Sequence, residues 1–200
     1  MSLFSKFFGS SNLASDEEKE SEFSESFTKN TTSIDETFIF NFKKNGGKFL
    51  YCENADEVKE QFENILEEND WFESEVLCYE PALYTMLDDN KLVYEKPLNP
   101  KFIFASCENL IADEGSILFS SKQIKQNKPN ELPVNIIILA KTSQIIGAKS
   151  DGLSAIKKKY ERDYPTNITT IKYFEKVKEE DFTQYGSSAK NLYLLLLEDL

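Results

Sequence analysis

The sequence predicts an α/β fold, an open sheet with helices on both faces. From Thr37 onward, short β-like runs alternate with helical ones, as they do where strands are joined through packed helices. Two runs, Val134–Ala140 and Leu192–Leu197, are almost unbroken apolar stretches, the pattern of strands buried on both faces of a sheet. At 200 residues one domain is the default, and a chain of that size buries roughly 70% of its unfolded surface. Such a core needs no staples.

Residues 1–36 stand apart. Ser11–Ser26 is rich in Ser and Glu and poor in branched aliphatics, so it buries too little apolar area to offset chain entropy and is expected to form a disordered acidic tail. Phe4, Phe7 and Phe8 either dock on a partner or on the domain, or belong to a frayed end. The domain is assigned to residues 37–200. Phe38–Phe42 fits a first strand or the end of a helix, and Gly46-Gly47 turns the chain into a strand over Lys48–Cys52. Asn54, with Glu57 three residues on, has the form of an N-cap box, and Val58, Phe62, Ile65 and Leu66 share one helical face. A strand at Glu75–Tyr79, a short helix opening near Pro81 and an apolar patch at Leu92–Tyr94 follow. Their spacing suggests one layered sheet.

In the second half, Phe102–Ala105 reads as a strand, Cys107–Ala112 as about one helical turn, and Ser116–Phe119 as a strand emerging from Gly115. Asp151 is placed as the cap of a helix that points Leu153, Ile156 and Tyr160 inward. Lys157–Lys159 lie in its C-terminal half, where positive charge suits the helix dipole. Pro165 ends it. Asn167–Tyr173 and Leu192–Leu197 read as closing strands, the second of them central. Trp71 and the other aromatics are expected to fill the core.

Composition narrows the chemistry. A net charge of -12 argues against nucleic acid, whose phosphates require clustered Lys and Arg, and against an anionic membrane surface. No apolar run approaches a bilayer span, and the start of the chain lacks the apolar region of a secretory signal. The expected location is cytoplasmic. Cys52, Cys78 and Cys107 include no C-x-x-C pair, so buried thiols are expected and no metal, cluster or other cofactor is predicted. With no histidine in the chain, Ser-His-Asp and Cys-His nucleophiles are excluded. Any catalysis rests on carboxylates, Lys, Tyr, Cys or backbone amides.

The segment Asn109–Ser121 carries the site prediction. It joins Glu114, Gly115 and Ser116 to the start of an apolar strand, and in open α/β folds ligands gather at loops beside such strands. Glu114 is the candidate catalytic acid; Gly115 and Ser116 are candidate ligand contacts through their backbone amides and the Ser116 hydroxyl. The plainer reading has Glu114 solvating a tight turn and Gly115 supplying a backbone conformation that other residues resist.

Asn109-Leu-Ile-Ala-Asp-Glu-Gly-Ser-Ile-Leu-Phe119, Leu132-Pro133 before the strand at Val134–Ala140, Ser143-Gln-Ile-Ile146, and Gly186 ahead of Asn191–Leu197 occur in that order. Together they resemble the LUD-domain family, that of lactate utilization protein C, over roughly residues 37–200. The resemblance implies a NagB/RpiA/CoA-transferase-like fold. It also implies an accessory role beside iron–sulfur partner proteins in oxidation of L-lactate to pyruvate, with a small organic acid as possible ligand and Gly186 as a further ligand contact. CoA transferases on the related fold use a glutamate to attack a thioester, which gives Glu114 an alternative role in acyl or CoA transfer. A third reading is a non-catalytic interaction domain. Where the family carries Gly-Pro-Ser-x-Thr-x-Asp-Ile this chain reads Asn167-Ile-Thr-Thr-Ile-Lys-Tyr-Phe-Glu175, and the family's Gly-x-His-Gly-Pro is reduced to Tyr185-Gly-Ser-Ser188.

Overall fold

A computed structural model describes residues 33–174 and 190–199 of the chain. In chain order the elements are α1 (Ile34–Lys44), β1 (Lys48–Cys52), α2 (Ala55–Asn69), β2 (Val76–Leu77), α3 (Tyr84–Asp89), β3 (Phe102–Ala105), β4 (Asn109–Ile111) and β5 (Ser116–Ser120). They continue with α4 (Ser121–Ile124), β6 (Asn135–Lys141), β7 (Ile145–Ile146), α5 (Lys149–Lys159), β8 (Ile168–Ile171) and β9 (Asn191–Leu197). The expected tail lies almost wholly outside the described residues.

The main sheet has the order β1-β9-β6-β3-β2 and is parallel throughout. Its strands are apolar on both sides because both sides are covered. Phe102, Phe104, Ile137, Tyr193 and Leu195 face a core shared with α2 and α3, where Trp71 stacks on Phe102 with ring centroids 5.0 Å apart. Ile103, Ala105, Ile136, Ile138, Leu192, Leu194 and Leu196 face the opposite core, closed by Phe38 and Phe42 of α1 and by Leu110, Ile117 and Phe119. Each buried Leu, Ile and Phe side chain among these contributes roughly 1.5–3 kcal/mol by leaving water.

The sequence-based reading of one sheet is corrected here. Strands β7-β4-β5-β8 make a second sheet, in which β4–β5 and β5–β8 are antiparallel and β4–β7 parallel. Cys107–Ala112, expected as a helical turn, contains β4 instead. Leu110 faces the large core while Ile111 faces α5, so an apolar run that looks helical in a short window is a strand covered on both faces. Helix α5 packs on the outer side of this sheet through Ile156, against Ile111 and Leu118. Gly152 permits that approach, since a Cβ there would stand 2.7 Å from Leu118 Cδ2 and 3.0 Å from Ile146 Cδ1.

Two helix assignments also shift. Phe38–Phe42 belongs to α1, in which both Phe side chains are buried one turn apart and their rings stack at 5.4 Å. Asp151 does not precede α5 but sits in its first turn, where its carboxylate accepts the Ala148 N–H at 3.3 Å; Leu153 points outward, 38% exposed. The N-cap at Asn54 stands as read: its side-chain oxygen accepts from Asp56 and Glu57 N–H at 3.0 Å, and Glu57 returns a bond to Glu53 N–H at 2.9 Å.

Candidate functional site

The residues singled out from sequence lie in the β4–β5 turn, where the hairpin meets α1. Gly115 has φ +60°, and a Cβ there would lie 2.3 Å from the Asn41 carbonyl carbon and 2.4 Å from Phe42 N. Only glycine fits that backbone approach without displacing the helix. Asn41 Nδ2 donates to Ala112 O at 2.8 Å, and Asn45 Nδ2 donates to Glu114 O at 2.8 Å and Gly115 O at 3.1 Å. Asn41 of α1 and Asn45, one residue past its end, therefore clasp the turn. Ser116 is fully buried, and its hydroxyl donates to Glu114 Oε2 at 3.2 Å. Glu114 itself is half-buried. The structure thus brings Glu114, Gly115 and Ser116 together; Gly186 lies outside the described residues.

A second concentration of polar side chains lies at the carboxyl ends of the parallel strands, where ligands of such sheets bind. Glu80, just past β2, accepts Ser106 N–H at 2.7 Å and Ser106 O–H at 2.5 Å. Two residues later Glu108 is buried, its side chain 1% exposed. Its Oε1 accepts from Ser120 Oγ at 2.6 Å, Tyr160 OH at 2.9 Å and Gln123 Nε2 at 3.0 Å; Oε2 accepts from Lys159 Nζ at 2.9 Å. Burial pushes the Glu108 carboxyl up, but the hydrogen bonds from Ser120, Lys159, Gln123 and Tyr160 outweigh it and hold the group below the ordinary carboxylate range. Burial likewise works against the Lys159 ammonium, and its bonds to Glu108 and Tyr160 reverse that and raise it. Glu108 is consequently an ionised, fully partnered anion.

At the β6 and β9 ends, the Asp199 carboxylate accepts Thr142 O–H at 3.0 Å, Ser143 N–H at 2.9 Å and Ser143 O–H at 2.8 Å. These bonds overcome desolvation and lower its pKa. Cys107 sits between Ser106 and Glu108, fully enclosed, with its thiol pushed up by burial and by the charges of Glu108 and Glu80. It offers no thiolate nucleophile near neutral pH. Glu80, Glu108 and Asp199 are each held by donors from the chain itself, an arrangement that fixes loops and orients backbone. A groove of about 380 Å³, lined by Lys158–Asp163, opens beside Lys159 and Tyr160.

Sequence reasoning missed Glu108, Lys159 and Tyr160 as a unit. The signal for Glu108 was present, since it is the one charged side chain between Phe102 and Ala112. A charge set in an apolar run needs partners. Lys159 read as one of three lysines at a helix end, and nothing local distinguishes it from Lys157 and Lys158. Among the described residues, no group of three or more His, Cys, Asp or Glu side chains is placed to hold a metal ion.

No family model and no curated protein matches the chain. A solved structure does: the crystal structure of a DUF162 family protein from Deinococcus radiodurans is 14% identical and aligns over 83% of this chain and 96% of its own, with a TM-score of 0.59. At that identity the likeness establishes the fold. The chain is a mixed α/β protein with a parallel sheet flanked by helices, similar to that DUF162 protein along most of its length.

Proposed function

We propose that the protein is a LUD-like accessory protein that works beside iron–sulfur partner proteins in the oxidation of L-lactate to pyruvate. The DUF162 family is related to LUD domains, and the fold likeness over 83% of the chain is the observation that carries the reading. The site geometry favours an accessory role over a catalytic one, because the carboxylates at the sheet edge are occupied by the chain's own donors and the thiol beside them is enclosed. Deleting the gene in its own organism should abolish growth on L-lactate, and tagged protein should copurify with an iron–sulfur protein. Undiminished growth on lactate would reject the role. Binding of a small organic acid through Gly115, Ser116 and Gly186 belongs to the same reading. A thermal-shift screen with lactate, pyruvate and CoA esters tests it, since a ligand specific for the folded state raises the melting temperature.

A second reading keeps Glu114 as an acyl acceptor. It is favoured by the half-exposed position of that carboxylate and by its contact with the Ser116 hydroxyl. The carboxylate would attack an acyl-CoA carbonyl, expel CoA thiolate and form an acyl–glutamyl anhydride. Unchanged acyl transfer in Glu114→Ala would end that reading.

A further inference from the structure

A hollow of about 220 Å³ opens at the amino ends of β1 and β9, between those strands and α2. β1 is an edge strand of the main sheet, and Lys48, its first residue, lies in register with Tyr193 of β9. Lys48 and Leu50 alternate onto the sheet face that α2 covers, and Gln61, Asn64, Ile65 and Glu68 recur at helical spacing along the facing side of α2. Leu50 and Ile65 form an apolar wall. Tyr193, only 3% exposed, is the floor. Its hydroxyl accepts from Lys48 Nζ at 2.6 Å and from Asn69 Nδ2 at 3.1 Å. An ammonium and an amide N–H can only donate, so the phenol oxygen is taken up as an acceptor and its own proton is left to give. Among the described residues no acceptor takes that proton. A buried donor in this state costs free energy until something accepts from it.

The charges at the mouth say what that acceptor belongs to. Glu68 Oε1 stands 4.0 Å from Lys48 Nζ, and Glu68 lies in the last turn of α2, where the helix dipole adds negative potential. An anion drawn to Lys48 would be repelled by Glu68, a cation drawn to Glu68 would be repelled by Lys48, and a neutral sugar would answer neither charge. A molecule with a carboxylate and an ammonium on one carbon answers both, because it closes a ring of four charges of alternating sign. We infer that the hollow binds a free α-amino acid with a short aliphatic side chain. Its carboxylate accepts from the Tyr193 O–H and from Lys48, its ammonium donates to Glu68, and its side chain lies on Leu50 and Ile65. Lys48 is already held in place by Tyr193, so little of its freedom is lost on binding. At ~30 Å³ per water the 220 Å³ hollow holds about seven waters, room for a molecule of leucine's size. The site shares no residue with the Glu114 turn or the carboxyl edge, and it is independent of the lactate role.

The test is isothermal titration of the purified full chain with L-alanine, L-valine and L-leucine, and with two leucine analogues that each lack one charge. These are 4-methylpentanoate, without the ammonium, and 3-methylbutylamine, without the carboxylate. At least one of the three amino acids should bind at one site, and leucine should bind at least tenfold tighter than either analogue. Glu68→Gln should bring leucine and 4-methylpentanoate to within threefold of each other, while Tyr193→Phe should weaken both at least fivefold. Glu68 is exposed, so Glu68→Gln should melt with the wild type and its binding reports the site, not the fold. Should Tyr193→Phe melt early, Lys48→Met takes its place, with the same fivefold loss expected. No binding of any of the three amino acids, equal binding of leucine and its analogues, a preference for leucine that survives Glu68→Gln, or undiminished leucine binding in Tyr193→Phe or Lys48→Met would each overturn the proposal.

Discussion

The Lys159 ammonium stands 2.9 Å from Glu108 Oε2, joining the last turn of α5 to a carboxylate buried at the carboxyl end of β3. Ser120 and Gln123 hold the other oxygen from α4 and the residue before it, so one side chain fastens three pieces of chain. Glu108→Ala leaves those donors without their acceptor. It should cost about 3 kcal/mol, the low end for a broken buried pair, because Lys159 is half-exposed and rehydrates. The pH dependence follows from the lowered Glu108 carboxyl. A carboxyl depressed in the folded state contributes stability that is fully present above its unfolded value, near 4.5, and lost as pH falls through the folded value. Urea midpoints of wild type and Glu108→Ala should therefore differ by a constant amount above about pH 5 and converge below it. A gap that persists unchanged to pH 3 would show that Glu108 is not held as the anion.

Gly115→Ala is expected to be among the more damaging small substitutions in the chain. The residue adopts φ +60°, and the added methyl would meet backbone atoms of Asn41 and Phe42, which cannot rotate away as a side-chain tip can. Alanine at that φ and a displaced α1 together should cost roughly 2–4 kcal/mol. Glu114→Ala beside it removes a half-buried carboxylate with one hydroxyl contact and should change stability by about 0.5 kcal/mol or less. Chemical denaturation of the two variants separates the packing role of this turn from any role in chemistry.

The residues that position this turn also show what sequence makes legible. The central strands were readable because β6 and β9 are apolar on both faces, and α2 because its cap and its apolar stripe agree. The second sheet was not. Its strands β4 and β7 are three and two residues long, too short for periodicity to separate a strand from a helical turn, and their pairing is fixed by partners distant in sequence. The docking of Asn41 and Asn45 on residues 112–115 links positions about 70 apart, and nothing local to either segment announces it. The Gly115 conformation was legible as a possibility, but the reason for it lies in α1.

The three cysteines should be silent to a thiol reagent in the native protein. All are buried and free. Burial, with the charge of Glu57, pushes the Cys52 thiol up to about 11, and burial, outweighing a hydrogen bond to Glu80 O, pushes Cys78 up to about 11. Cys107 is raised as well. Titration with Ellman's reagent at pH 8 should give three equivalents in denaturant and no fast phase without it. A rapid equivalent in native buffer would mean that one thiol sits in an open, electropositive place, contrary to its enclosure.

Lys190 gives the same sign of pH dependence as Glu108, in the alkaline range instead of the acid one. Its side chain is only 2% exposed, and its ammonium donates to Leu132 O at 2.8 Å and Pro133 O at 3.2 Å, with no carboxylate paired to it among the described residues. Desolvation lowers its pKa below the ordinary 10.5. Between the folded and unfolded values the unfolded chain binds more protons, so stability rises with pH across that window and levels off above about 10.5. The neutral amine keeps two N–H donors, enough for both carbonyls, so losing the proton does not cost the contacts. Lys190→Met has no such titration. The stability difference between wild type and Lys190→Met, measured by urea denaturation at steps from pH 7 to pH 10.5, should move in favour of the wild type as pH rises. A difference that stays flat would show that the lysine keeps its ordinary pKa in the fold.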